Sequence, residues 1–157
     1  METDFTYIPA GYHSVTPSLT VLNGAAALDF YVRAFGAEET FRLPDEKSGK
    51  LMHAEFKIGN SIMMLSDEFP EWGALAPQEG QGGAFMIYVK DVEAALSQAI
   101  AAGATELMPL TDQFWGDRTC RIADPFGYRW SLAQKTRDVA PEDITRLAAE
   151  WQGKESA

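Results

Sequence analysis

The sequence predicts an α+β fold built from two βαβββ modules. Two observations predict it. A strand–helix–strand segment near the N-terminus returns in the second half, displaced by about 67–68 residues with one gap. A hairpin turning on Gly59 returns as a hairpin turning on Gly127, each at the same place after its helix.

The first strand lies in "SLTV", where Leu19 and Val21 alternate with Ser18 and Thr20. Leu28, Tyr31, Val32 and Phe35 then recur at helical spacing and predict one apolar stripe. Gly36 is placed to close that helix, because glycine adopts the left-handed conformation at little cost. "AEETFRL" reads as the second strand, and "MHAEFKI" and "SIMMLSDE" flank the Gly59-Asn60 turn. In "MHAEFKI", Met52, Ala54, Phe56 and Ile58 are expected on the helix side, and His53, Glu55 and Lys57 on the other.

The second copy repeats this order. Phe85, Ile87 and Val89 face the core, while Ala84, Met86 and Tyr88 face away. Asp91 can cap a helix whose apolar side carries Val92, Ala95, Leu96 and Ala99, and Gly103 closes it. "TCRIADPFGYRWSLAQ" is the second hairpin. Pro125 ends strand pairing before the turn, and Trp130 and Leu132 face the core opposite Arg129, Ser131 and Ala133. The modules span 1–66 and 84–135. A Pro- and Gly-rich linker loop occupies 67–83 and a helical tail 136–157, the whole forming one structural domain. In the tail, Ile144, Leu147, Ala148 and Trp151 form a stripe that must bury itself on the barrel or on a partner.

Composition narrows the function. The chain has 157 residues and a formal net charge of −10, a poor match to nucleic acid. The N-terminus lacks the pattern of a signal peptide, and no apolar run approaches the roughly 20 residues that span a bilayer. Cys120 is the single cysteine, so no internal disulfide forms. A cytoplasmic location and no membrane partner are expected.

In "TPSLTVLNGAAALDFYVRAFGAEE", "HAEFKIGNSIMMLSDE" and "AAGATELMPLTDQFWGDRTCRIADPFGYRWSLA", and in their order, the chain resembles the vicinal oxygen chelate superfamily. That superfamily includes glyoxalase I, bleomycin-resistance proteins and extradiol dioxygenases, and the nearer likeness is to its PhnB-like branch. The resemblance covers roughly residues 10–135. It implies the glyoxalase/bleomycin-resistance fold, a paired half-barrel, with a homodimer and a cavity in each barrel.

Metal-dependent members fill four strand positions with His, Glu or Gln. Carried over by strand, those positions are Thr16, Glu55, Ala84 and Ser131, of which only Glu55 is a good ligand. Tyr128 stands where the branch more often has His. His53 and Glu55, about 6.6 Å apart on one strand face, can contact a polar ligand, act as acid and base, or simply hydrogen-bond each other. They are the candidates for catalysis, and for metal ligation if a metal is held. Thr16, His53, Glu55, Trp72, Met86, Phe114, Trp115, Arg118 and Ser131 are the candidate ligand-binding residues. Phe114 and Trp115 can stack on a flat ligand while Arg118 takes a carboxylate; equally, Trp115 can pack the sheet edge and Arg118 pair with Asp117. Trp72 belongs either to a lid or to a plain linker.

Three functions follow, in order of preference. The first is a small-molecule-binding protein that sequesters its ligand and needs no cofactor. The second is a lyase, isomerase or dioxygenase that depends on a divalent metal. The third is an interaction protein with a vestigial pocket.

Overall fold

The computed structural model describes residues 6–156. The first module contains β1 (Ser18–Val21), α1 (Gly24–Phe35), β2 (Glu38–Pro44), β3 (Leu51–Ile58) and β4 (Ser61–Asp67). The second contains β5 (Ala84–Tyr88), α2 (Val92–Ala102), β6 (Thr105–Asp112), β7 (Asp117–Ala123) and β8 (Arg129–Lys135), and α3 (Pro141–Glu155) follows. Each module is a four-stranded sheet, ordered β1-β4-β3-β2 and β5-β8-β7-β6. Only the first and last strands of a module run parallel. That pairing needs a crossover, which the helix begins.

α1 and α2 are each capped at both ends. Asn23 accepts a hydrogen bond from the Ala26 amide at 3.0 Å, and Asp91 does the same for Ala94. Gly36 and Gly103 take left-handed conformations after the last turns. The predicted stripe of α1 is rotated: Val32 is exposed and Phe30 is buried in its place. α1 carries apolar residues around most of its circumference, so period alone does not set its phase. Packing does: Phe30 meets Phe35 and Phe126 edge-on at 5.9 Å.

β3 departs from strict alternation at its start. Leu43 pairs with His53 but Pro44 pairs with Leu51, so Met52 is an extra residue in a bulge. Leu51 takes the inward place expected of Met52, which is left exposed. Pro44 has no N–H to continue the ladder, which suits a bulge there.

Leu19, Val21, Tyr31, Phe56, Leu65, Ile122, Trp130 and Leu132 meet in one buried core shared by both modules. Tyr31 stacks on Phe56 at 5.3 Å and lies 5.4 Å from Trp130. Burying each such side chain contributes about 1.5–3 kcal/mol. At the centre is Asp124, in the turn between β7 and β8. Its carboxylate accepts from the Tyr31 hydroxyl and the Trp130 indole, both at 2.8 Å, and from the Phe126 and Tyr128 amides. One side chain therefore shapes the turn and ties it to α1. Burial, then the charge of Asp124, raises the Tyr31 hydroxyl far above the usual tyrosine range. Tyr128 joins the sheets: its hydroxyl accepts from the Thr20 amide and donates to the Thr20 carbonyl, both at 3.0 Å. The free edge of β1 is thereby satisfied by a side chain.

The segment between the modules is ordered by specific contacts. β4 extends through Asp67, whose carboxylate accepts from the Gly24 and Leu51 amides at 2.8 and 2.6 Å. Glu68 caps the Ala76 amide at 2.7 Å. Gly82 donates to the Gly127 carbonyl, and a Cβ on Gly82 would lie 2.6 Å from the Tyr128 ring. α3 forms as expected, but its stripe is only half-covered: Trp151 remains exposed, 6.1 Å from Phe114.

Candidate functional site

The helices cover one face of each sheet and leave the other open. Cross-strand pairing fixes which side chains share the open faces. In the first sheet Ser18, Met64, Glu55 and Phe41 form one row from β1 to β2. In the second, Met86, Ser131, Arg121 and Met108 form the corresponding row. Directly paired residues project to the same side.

His53 and Glu55 are brought together as expected, with Nε2 3.0 Å from Oε1 and both side chains partly exposed. Phe41 lies beside them, its ring 6.0 Å from the imidazole. Sequence reasoning missed Tyr12, which reaches Glu55 from the segment before β1. The Tyr12 hydroxyl, followed by His53, holds the Glu55 carboxyl below the usual carboxylate range. The same contact pushes the Tyr12 hydroxyl up to about 12. Because the Glu55 value is depressed on folding, its stabilising contribution is present above the ordinary glutamate range. It is lost as pH falls through the lowered value.

The other candidates are dispersed. Thr16 precedes β1 and is half-buried; Ser18, not Thr16, shares the row of Glu55. Ser131 and Met86 are paired neighbours on the second open face. Ala84 lies one row away from them, paired with Arg129. Trp115 donates its indole N–H to Asp117 at 3.1 Å, and the Tyr88 hydroxyl donates to the same carboxylate oxygen at 2.9 Å. Phe114 turns instead toward α3, near Trp151. Arg118 pairs across the sheet with Gln134, on the helix side, and its guanidinium lies 2.7 Å from Glu93 in the first turn of α2. It therefore pairs with neither Asp117 nor an open-face ligand in this arrangement. Trp72, in a short 3-10 turn at Pro70–Trp72, stacks on Phe69 at 4.6 Å and remains exposed. Cys120 is buried, and burial raises its thiol.

A cleft of about 610 Å³ opens between the edge strand β5 and the β3–β4 turn. His13, Val15, Ile62, Met86 and Tyr88 line it, with Trp130 behind. This is the volume of an ordinary small-molecule site.

The metal implied by the resemblance does not fit the donors present. The two corresponding rows contain one carboxylate, two hydroxyls and a guanidinium. Among the described residues no group of three or more His, Cys, Asp or Glu side chains converges. His53 and Glu55 supply two donors where a catalytic zinc site takes about three.

A family model described as the glyoxalase/bleomycin resistance protein/dioxygenase superfamily matches residues 12–132, and the chain belongs to that superfamily. An uncharacterized protein of Mycobacterium bovis is 41% identical over 136 residues, 83% of this chain and 89% of that protein. Among solved structures, TioX from a Micromonospora species superposes with a TM-score of 0.64 at 26% identity, covering 77% of this chain and 97% of TioX. A PhnB protein from Bacillus cereus gives 0.59 at 18% identity, over 78% of this chain and 99% of its own, and so shares the fold. Among the described residues no helix is long and apolar enough to cross a membrane.

Proposed function

We propose that this protein binds a small organic molecule on its open sheet faces and needs no metal to do so. One observation carries the reading. The Tyr12–Glu55–His53 cluster is left half-exposed beside large apolar side chains, Phe41 and Leu43, that are themselves nearly half-exposed among the described residues. Polar groups held in position beside apolar walls are what orients a ligand within a pocket. A vestigial pocket would instead fill with its own apolar side chains. The poor metal donor set favours binding over metal-dependent turnover. Large uncovered side chains on both open faces also favour a homodimer that completes the pocket, and a single buried cysteine suits a cytoplasmic protein.

His53→Ala and Glu55→Ala test the placement of the ligand. Each is expected to weaken binding of any organic molecule recovered from the purified protein by about tenfold. Each should leave the melting temperature within about 2 °C, because partly exposed polar pairs contribute little to stability. Titration calorimetry and thermal melts read the two effects separately. A large loss of stability with unaltered binding would contradict the assignment.

A further inference from the structure

The second sheet presents a different chemistry from the first. Glu55 in the first sheet corresponds in row position to Arg121 in the second, between Ser131 and Met108. One row away Arg129 pairs with Ala84 and Ala123 on the same face. Diagonal neighbours on one sheet face have Cα atoms about 7–8 Å apart, within reach of one shared ligand for two arginines.

The remaining arginines are engaged. Arg33 donates to the Ala102 carbonyl, Arg137 to Phe114, and Arg42, Arg118 and Arg146 pair with carboxylates. Arg121 and Arg129 have no such partner among the described residues, in a chain whose formal net charge is −10. The acid on their face is Asp117, which Tyr88 and Trp115 already occupy. It lies four residues along β7 from Arg121, about 13 Å away. Between and around the two arginines the sheet carries small side chains, Ala84, Ala123 and Ser131. Met86, Met108 and Tyr88 stand exposed at the sides. The result is a floor of small side chains with two unneutralised guanidinium groups and apolar walls, the Arg129 guanidinium lying against Gly80 of the inter-module segment. A carboxylate on an apolar body matches that set, because guanidinium groups take carboxylates through paired, charge-assisted hydrogen bonds.

We propose that the open face of the second sheet binds an organic carboxylate, its oxyanion held by Arg121 and Arg129 and its apolar body by Met86, Met108 and Tyr88. This rests on the ligand-binding reading above and specifies the ligand class for that reading.

The test uses 1-naphthoate and its neutral analogue 1-naphthamide, titrated calorimetrically into the full-length protein. Naphthoate is expected to bind at least about tenfold more tightly than the amide. That preference should disappear in the Arg121→Gln/Arg129→Gln double variant, whose melting temperature should not change because both side chains are exposed. Equal binding of the two probes overturns the carboxylate assignment and leaves the small-molecule reading standing. A preference that survives in the double variant also overturns it, because the anion is then held elsewhere. If neither probe binds, the carboxylate assignment falls; a neutral molecule retained by the purified protein would then show that the pocket reading survives.

Discussion

Asp124→Ala lowers the stability of the protein by about 3–4 kcal/mol, the largest expected effect of removing any one polar side chain here. The carboxylate is buried and accepts four hydrogen bonds, from the Tyr31 hydroxyl, the Trp130 indole and the Phe126 and Tyr128 amides. Alanine removes the acceptor and leaves all four donors. Each buried donor left without a partner costs about 1–3 kcal/mol, less whatever water or local relaxation restores. In a chain of this size the loss corresponds to a fall of about 10 °C in melting temperature. Tyr31→Phe is the control. It removes one donor rather than the shared acceptor, so about 1–1.5 kcal/mol is expected. Chemical denaturation of both variants measures the difference. Equal losses would mean that Asp124 acts only through Tyr31 and does not hold the turn.

Trp130→Ala is expected to cost about 3–5 kcal/mol by a different route. The indole is buried on the helix side of β8, with ring centroids of Phe35, Phe85 and Tyr31 within 4.8, 5.0 and 5.4 Å. Those rings come from both modules, and backbone restraint limits how far they can close the void. The substitution also takes one donor from Asp124. The two effects should therefore not add: the double variant should lose less than the sum of the single losses, because they share the Trp130–Asp124 hydrogen bond. Additive losses in a double-mutant cycle would show that this bond contributes nothing.

The repeat, both hairpins, both closing glycines and the Asp91 cap were legible in the sequence, because each is a local signal repeated at fixed spacing. The phase of α1 was not, since Phe30 and Val32 are both apolar and only tertiary packing chooses between them. The bulge at Met52 was not, since it arises from β2–β3 pairing around Pro44. The meeting of His53 and Glu55 followed from strand period alone. Tyr12 did not, because a segment outside the strands brings it there. Arg121 was not singled out, although alternation puts it between the core residues Cys120 and Ile122. What the sequence lacked was register, which turns Arg118 to the helix side and puts Arg121 and Arg129 on one open face. The role of the aspartate in "DPFG" is likewise set by a long-range contact. That side chain folds the turn and at the same time anchors the helix of the other module.

The central claim is that the protein holds a small organic molecule without a metal. Native mass spectrometry of protein purified gently, without chelator or metal affinity resin, tests it most directly. The expected spectrum is a dimer free of divalent metal, with an organic adduct that is lost on activation. About one divalent metal bound per subunit would contradict the account and would make metal-dependent turnover the better reading.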